Sequence, residues 1–252
     1  MEKIADIRNE WKQLKEEELW GFLKKHQDDD RSGVSALCAQ AVKRIAAYEK
    51  ELDRLEDMKK YEREFEAFGA VCGIDEVGRG PLAGPVVAGA VILPKDCNIL
   101  YLNDSKKLTA KMRDSLYDEI MEKAVATGIG FVSWQRIDEI NILNATYEAM
   151  REAIGKCSIK PDILLNDAVT IPGVAIRQVP IIKGDAKSVS IAAASIIAKV
   201  TRDRYMEEMD QKYPGYDFAS NKGYGSAKHI EALRQIGPCE IHRRTFIGHF
   251  CK

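Results

Sequence analysis

Two adjacent acidic residues follow a short apolar run and are followed at once by a glycine-punctuated loop. Residues 71–74 are small and apolar, which predicts a buried strand that places Asp75 and Glu76 at its end. Carboxylates at that position carry a desolvation cost that metal ions relieve directly. The glycines Gly78 and Gly80 leave backbone N–H groups open to close approach by a ligand. The segment therefore predicts a cation site beside an anion-receiving loop, an arrangement suited to chemistry on phosphates.

Length and composition limit the class of protein. The chain has 252 residues, enough for one large domain or one domain with a small appendage, and 45% of its residues are hydrophobic. Its six cysteines include no C-x-x-C pair, which favours reduced thiols over disulfides or a zinc site. The sequence has no signal-peptide pattern and no apolar run of about 20 residues, so we expect a cytoplasmic protein without a membrane span. The net charge of −1 does not by itself indicate nucleic-acid binding.

The pattern of apolar residues changes near residue 70. Residues 1–69 repeat apolar positions at spacings of three and four, which predicts two or more packed helices, interpreted as a structural or docking extension. Residues 70–252 mix strand and helix patterns, which predicts an α/β domain. The predicted strands cover residues 71–74, 84–93, 128–134, 162–165 and 174–182. The predicted helices of this domain cover residues 109–126, 138–156 and 188–212. Nothing in the sequence requires more than a monomer.

Three of the predicted strands end in acidic residues: Asp75 and Glu76, then Asp167, then Asp185. If these ends share one edge of a sheet, the four carboxylates repel one another, and protonation or bound divalent cations must neutralise them. Hard oxygen ligands without His or Cys suit Mg²⁺ or Mn²⁺, and two such ions can activate water and stabilise a leaving oxygen of a phosphodiester. The alternative is that each acid is a cap or turn residue, which explains one acid better than it explains four.

Two other functions compete with this one. The spacing of Gly78, Gly80 and Gly84 after a strand is similar to a dinucleotide-binding fingerprint. Pro81 and Pro85 would interrupt the helix that such a site needs, and the two acids would face the pyrophosphate. A non-catalytic protein that binds nucleic acid on the same scaffold is a further alternative, but it would be expected to lack one of the carboxylates, and none is missing.

Seven short motifs follow one another along residues 73–246. They are residues 73–85 (GIDEVGRGPLAGP), 103–108 (NDSKKL), 141–146 (NILNAT), 183–185 (KGD), 190–200 (SIAAASIIAKV), 222–225 (KGYG) and 242–246 (HRRTF). Together they closely resemble type 2 ribonuclease H, the bacterial ribonuclease HII group. The helical segment at residues 1–69 resembles the N-terminal extension of some members.

The resemblance implies an RNase H-like fold, with a central mixed five-stranded sheet flanked by helices. It also implies a metal-dependent endonuclease that cuts the RNA strand of RNA/DNA hybrids. Such an enzyme nicks duplex DNA on the 5′ side of embedded ribonucleotides, leaves 3′-hydroxyl and 5′-phosphate ends, and serves to remove ribonucleotides from DNA. A pair of Mg²⁺ or Mn²⁺ ions would be the cofactor.

Residue by residue, the resemblance makes Asp75, Glu76, Asp167 and Asp185 the catalytic and metal-binding acids. The expected substrate-binding residues are Gly78, Arg79, Gly80, Lys106, Lys183, Tyr224 and Arg243. Of these, the glycine loop would contact the 2′-hydroxyl, the tyrosine would pack on the sugar, and the lysines and Arg243 would contact phosphates. Asp104 is expected to be a turn residue, and the histidines at 229, 242 and 249 to be structural. The chain departs from the family at Ala168, where glycine is common, and at Ser226, where threonine is frequent.

Overall fold

The computed structural model describes residues 2–250 of the chain. The chain divides into two compact units, Met1–Asp57 and Met58–Lys252. Residues 58–69, which the sequence groups with the helical extension, are counted with the second unit in this division; the boundary at residue 69 stays a prediction. None of the helices within the described residues is both long and apolar enough to cross a membrane.

The N-terminal unit is helical, as the 3–4 spacing predicts. It contains α1 (Ile4–Gln13), α2 (Leu19–His26) and most of α3 (Ser32–Met58). The three helices bury one shared apolar cluster, which consists of Ile7, Leu19, Phe22, Val34, Leu37, Ala41 and Ile45. The 27 residues of α3 supply the long side of this small bundle. A further short helix, α4 (Lys60–Phe65), belongs to the second unit.

A mixed five-stranded sheet forms the centre of the second unit, which confirms the expected fold class. Its strands are β1 (Val71–Val77), β2 (Val86–Ile92), β3 (Ala126–Val132), β4 (Ile163–Asp167) and β5 (Arg177–Ile181), in the order β3-β2-β1-β4-β5. The first three strands pair antiparallel, whereas β1, β4 and β5 are parallel. The carboxyl ends of those three parallel strands therefore meet at one edge of the sheet.

Some element boundaries differ from the expectation. The strand β1 continues through both acids to Val77, because Asp75 and Glu76 remain paired with Gly89 and Ala88 of β2. The strand β3 begins two residues earlier than predicted, at Ala126. The helix after it, α6 (Trp134–Lys156), begins at the Ser133 cap and is interrupted at Asn141, where φ is 66°. The sequence pattern has no signal for that interruption, because its apolar spacing continues across the break.

Helices cover both faces of the sheet. The helix α7 (Val189–Lys212) packs on β1 and β2, and a Cβ at Gly73 would overlap the backbone of Ser190 in this helix. The helix α6 packs on β2 and β3, and a Cβ at Gly130 would overlap the carbonyl of Ala149. Between α6 and the sheet lies an apolar core that includes Ile74, Ala88, Ala90 and Met150. The glycines thus let both helices lie close to the strands.

The rest of the second unit consists of shorter helices and loops. After β2 and a loop comes α5 (Ala110–Lys123), and after α7 come α8 (Phe218–Asn221), α9 (Ala227–Ile236) and α10 (Arg244–Ile247). Leu82 and Ala83 pack with the C-terminal helices in a second apolar cluster around Phe218 and Ile241. This cluster connects the C-terminal segment to the glycine-rich loop after β1 (residues 78–85), and so positions that loop beside the acidic strand ends.

Candidate active site

The four acids expected to act together lie at the carboxyl ends of the parallel strands. Asp75 and Glu76 are in the last part of β1, Asp167 is the final residue of β4, and Asp185 follows β5 in a 3₁₀ turn. The backbone N–H of Gly184 donates to Oδ1 of Asp167 (2.7 Å), which ties the turn after β5 to the end of β4. Topology thus brings together all four of these acids.

The innermost carboxylate is that of Asp75, which is only 6% exposed. Burial raises its pKa well above the ordinary value, and the neighbouring charges of Glu76 and Asp167 raise the pKa further. A hydrogen bond from the Ser195 hydroxyl opposes the rise. Ser195 lies on α7, and its Oγ is 3.0 Å from Oγ of Ser105. The structure therefore places Asp75 where a negative charge is unfavourable unless a cation compensates it.

Two of the other acids at this edge, Glu76 and Asp185, are also perturbed. Burial raises the pKa of Glu76, an effect that the positive charge of Arg79 opposes and that the charge of Asp167 reinforces. The Arg79 guanidinium lies 3.6 Å from Oε1 of Glu76. Burial also raises the pKa of Asp185, and the negative charges of Asp104 and Asp167 raise it further. The shared direction of these shifts, and the repulsion that contributes to them, indicate that the carboxylates lie within electrostatic reach of one another.

Asp104 is closer to this cluster than the sequence suggested. Its side chain accepts the backbone N–H of Lys106 (2.9 Å) and caps the short 3₁₀ turn that begins at Ser105, so the expected turn role is present. It also raises the pKa of Asp185 through charge and a side-chain hydrogen bond. The Asn-Asp-Ser-Lys loop gave no signal for this contact, because Asp185 is distant in sequence.

The donor set of the cluster fits hard divalent cations, since it consists of carboxylate oxygens. Its members are spread more widely than the ligand shell of one ion, because no three of the four bring one oxygen each within 4.8 Å of one another. Among residues 2–250 that spacing is met elsewhere, by Glu2, Glu10 and His26 of the N-terminal unit. There Nζ of Lys25 already lies 2.8 Å from Glu10 and 3.4 Å from Glu2, so these carboxylates have a cation.

The two glycines expected to contact the substrate have different surroundings. Gly78 is buried and has φ 92°, and a Cβ there would overlap the side chain of Arg202. Gly80 is exposed, and a Cβ there would lie 3.7 Å from Cε1 of Tyr224. Tyr224 is 43% exposed, with its ring 5.9 Å from the Arg202 guanidinium. Gly80 and Tyr224 thus share one surface, whereas Gly78 is constrained from inside the protein.

Arg243 does not present a free guanidinium to a phosphate, and that expected role is revised. Its side chain is 0% exposed and donates to the carbonyls of Gly78 (2.6 Å), Arg79 (3.0 Å), Gly84 (2.9 Å) and Pro85 (3.1 Å). Burial, and then the neighbouring charge of Arg202, lower its pKa to about 9. The buried guanidinium holds the glycine-rich loop in place from behind.

Arg202, which the sequence reasoning missed, has the same role from the other side. It is fully buried on α7 and donates to the carbonyls of Ala83 (3.1 Å), Pro85 (2.9 Å) and Lys222 (2.8 Å). The remaining expected phosphate contacts, the side chains of Lys106 and Lys183, are exposed. Arg79 is exposed as well. Three of the expected basic residues therefore remain available to a polyanion at this edge.

Comparison with known proteins identifies the family. A model described as Ribonuclease HII matches residues 72–249, and a model described as Ribonuclease HII N-terminal domain matches residues 3–66. The chain belongs to the ribonuclease HII family. The ribonuclease HII of Lachnoclostridium phytofermentans is 59% identical over 245 residues, covering 97% of this chain and 96% of that protein. The ribonuclease HII of Enterococcus faecalis is 54% identical over 222 residues, covering 87% of each chain.

Solved structures of the family share the fold. The crystal structure of ribonuclease H2 from Pyrococcus horikoshii OT3 aligns with a TM-score of 0.58 at 33% identity, covering 69% of this chain and 92% of that one. The PCNA:RNase HII complex from Archaeoglobus fulgidus contains a chain that aligns with a TM-score of 0.60 at 29% identity, covering 72% of this chain and 97% of that one. The chain therefore has the RNase H-like fold, and its family makes it a ribonuclease H endonuclease.

Proposed function

We propose that the protein hydrolyses the RNA strand of RNA/DNA hybrids and nicks duplex DNA on the 5′ side of embedded ribonucleotides. The products would carry 3′-hydroxyl and 5′-phosphate ends, and the role would be ribonucleotide removal from DNA in the cytoplasm. One observation carries the proposal: Asp75, Glu76, Asp167 and Asp185 lie at one sheet edge, beside the loop that brings Gly80 and Tyr224 together. The substrate would be a hybrid duplex or DNA that contains ribonucleotides, and the protein would act as a monomer.

The four acids would hold Mg²⁺ or Mn²⁺, as a pair of ions. Bound divalent ions supply charge neutralisation and activation of water in phosphodiester hydrolysis. The chain contributes a fixed arrangement of carboxylates. Asp75 is held by the backbone N–H of Glu76 (2.8 Å) and the hydroxyl of Ser195, and Asp167 by the N–H of Gly184. These hydrogen bonds hold two of the four carboxylates in place before a cation binds.

Recognition of a single ribonucleotide requires contact with one 2′-hydroxyl. The exposed loop residues Arg79 and Gly80 would lie along the sugar, because no side chain at Gly80 holds it away. The exposed Tyr224 ring would pack on the sugar from the other side. Lys106 and Lys183 would contact phosphates and position the strand without reading its sequence. Arg243 would support this surface from within.

A nicking assay tests the proposal. A labelled DNA duplex with one ribonucleotide, and the same duplex without it, are incubated with the protein in Mg²⁺, in Mn²⁺ and in EDTA. We expect metal-dependent cleavage on the 5′ side of the ribonucleotide only. Asp75→Asn should abolish turnover and leave the circular dichroism spectrum unchanged, while Asp96→Asn, a change of the same kind at an exposed loop position, should cleave like the wild type.

Two results would contradict the proposal. Cleavage by Asp75→Asn at the wild-type rate would remove Asp75 from the mechanism. Retention of the ribonucleotide duplex without any cleavage in either metal would favour a non-catalytic binding protein on the same scaffold.

A further inference from the structure

A chain of hydrogen bonds between two buried histidines ends at the carbonyl of Tyr224. Nδ1 of His229 lies 2.8 Å from this carbonyl, and Nε2 of His229 lies 2.9 Å from Nε2 of His242. At the other end, the backbone N–H of Cys239 donates to Nδ1 of His242 (3.0 Å). His229 is 0% exposed and His242 is 1% exposed. The chain thus runs through the interior, from the segment before α10 to the loop that carries Tyr224.

For neutral rings, the Tyr224 carbonyl at one end and the Cys239 N–H at the other set one order of protons. Nδ1 of His242 also lies 3.3 Å from the Cys239 carbonyl and 3.1 Å from its Sγ. The Tyr224 carbonyl can only accept, so Nδ1 of His229 carries a hydrogen and its Nε2 is an acceptor. Nε2 of His242 must then carry a hydrogen, which leaves its Nδ1 to accept from Cys239. Each ring is neutral and has one donor and one acceptor, and both ring nitrogens of each histidine are satisfied. A second proton on either ring would remove an acceptor that the chain needs.

The environment favours the neutral rings. Burial, and then the neighbouring His229, lower the pKa of His242 to about 4, and burial lowers the pKa of His229. The rings pack against Tyr216 and Phe218, with Phe218 5.2 Å from His229 and Tyr216 4.9 Å from His242 between ring centroids. Two buried histidines at this spacing, without a carboxylate among their hydrogen-bond partners, are suited to holding a backbone in place rather than to moving protons.

Tyr224 needs such support because its own backbone is permissive. Glycines flank it on both sides, at positions 223 and 225, and its side chain is partly exposed beside Gly80. The preceding residue is anchored to the glycine-rich loop, since Leu82 donates to the carbonyl of Gly223 (2.8 Å). The carbonyl of Tyr224 accepts from Ser226 N–H (2.8 Å) within the turn and from His229 from the interior. The contact with His229 is thus the one that ties Tyr224 to the core on this side.

We propose that His229 and His242 are positioning residues for Tyr224, and that their proton order holds the tyrosine ring against the Gly80 surface where the sugar binds. This inference rests on the proposed function of Tyr224 as the residue that packs on the ribonucleotide. It predicts that the two histidines act on substrate affinity rather than on the hydrolytic step, because they support the sugar-binding surface and do not touch the acidic cluster.

Two substitutions at one position separate positioning from simple stability. The amide of asparagine reaches the place of Nδ1, so His229→Asn keeps a donor for the Tyr224 carbonyl and loses the contact with His242. The amide of glutamine reaches the place of Nε2, so His229→Gln keeps the contact with His242 and loses the one with Tyr224. His249→Gln, at an exposed histidine, is the control. KM and kcat are measured on the duplex with one ribonucleotide, and unfolding in urea is measured for every variant.

We expect His229→Gln to raise KM about fivefold to tenfold, the effect of one lost hydrogen bond, with kcat within about twofold of the wild type. His229→Asn should keep KM within about twofold of the wild type. Its urea midpoint should nevertheless fall about as far as that of His229→Gln. Equal KM values for the two variants, or a fall in kcat alone, would overturn the proposal.

A second measurement does not depend on cleavage. Nitrogen NMR of the histidine rings at pH 7 should show a neutral Nδ1–H tautomer for His229 and a neutral Nε2–H tautomer for His242. Other tautomers, or a charged ring, would overturn the assigned proton order. If the wild type shows these tautomers but cleaves no ribonucleotide substrate, the proposed function fails while the hydrogen-bond chain stands.

Discussion

Replacing Arg243 by methionine tests whether a buried guanidinium holds the glycine-rich loop. Four backbone carbonyls accept from this side chain, and one of them, that of Pro85, keeps a second donor in Nε of Arg202 (2.9 Å). The carbonyls of Gly78, Arg79 and Gly84 lose this donor, at about 1–3 kcal/mol for each buried group left unsatisfied. Removing an uncompensated buried charge offsets part of that cost. We therefore expect Arg243→Met to lower the free energy of unfolding by about 3–5 kcal/mol.

Urea unfolding, followed by circular dichroism, measures this loss. Arg244→Met is the matched control, because Arg244 is the next residue along the chain and is exposed; its free energy of unfolding should change by no more than about 0.5 kcal/mol. Arg243→Lys should fall between the two, since an ammonium keeps the charge but cannot reach several carbonyls with a planar fork. For a unit of this size, the expected loss corresponds to a melting temperature lower by roughly 10 °C.

The reasoning is refuted if Arg243→Met unfolds at the wild-type urea concentration. If that stable variant also bound nucleic acid more weakly, with a shallower dependence on salt, the original expectation of a phosphate contact would be restored. Loss of stability together with loss of cleavage is the outcome that agrees with the structure, because the loop carries the proposed sugar-binding surface.

Three further predictions concern the two loop glycines, Ala168 and His242. Gly80→Ala should reduce nicking at least tenfold with stability within about 0.5 kcal/mol, whereas Gly78→Ala should cost more than about 2 kcal/mol in urea unfolding, because its φ is 92° and a Cβ would meet Arg202. Ala168 has φ 58°, so Ala168→Gly should preserve activity and raise the free energy of unfolding by about 0.5 kcal/mol in the same assay. The pKa of His242 is lowered to about 4, so the unfolded chain binds a proton there that the folded chain does not, and stability should fall by about 3 kcal/mol as pH drops from 6.5 to 4. The difference between wild type and His242→Gln isolates this term: their urea midpoints should converge over that range, and a constant gap would contradict it.

The pH prediction requires a variant for comparison because other groups act in the opposite direction. The folded-state pKa values of Asp75, Glu76 and Asp185 are raised, so these acids favour the folded state at low pH and oppose it as pH rises through their unfolded values. The charged or titratable groups that act on His242 are His229 and Arg244, and Cys239 contacts its Nδ1. Only a difference between two proteins that share all of these groups reports on His242.

The strand-end acids could be predicted from the sequence because strand patterns are local. A small apolar run followed by acids is visible in a few residues, and parallel strands that share an edge then bring distant acids together. The contact between Asp104 and Asp185 could not be predicted in this way, since it depends on a loop and a 3₁₀ turn whose geometry no local pattern specifies. The break at Asn141 was missed for a similar reason: the apolar spacing that predicts the helix is unaffected by one residue with positive φ.

Arg202 was missed, and Arg243 was given a surface role, because composition argues against buried arginine. Arginine is almost never fully buried without a partner, so sequence reasoning places it at the surface. Arg202 and Arg243 find their partners in carbonyls of the segment 78–85 and at Lys222, far away along the chain. Gly78 and Gly80 illustrate the same limit. Both are glycines of one motif, but Gly78 packs against the buried Arg202, whereas Gly80 lies at the proposed substrate surface.

The hydrogen-bond partners of the buried arginines also explain why the four acids at the strand ends are not neutralised from within the protein. Arg202 and Arg243 lie behind the loop that follows Glu76, yet their donors go to backbone carbonyls and not to the carboxylates. An internal ion pair with an arginine would neutralise an acid permanently and would lower its pKa, whereas Asp75, Glu76 and Asp185 all have raised pKa values. The fold thus uses its buried arginines to shape the loop, and only exposed cations such as Arg79 offset part of the charge on the carboxylates. The repulsion that remains is what divalent cations at this edge would remove, and it links the construction of the loop to the proposed metal site.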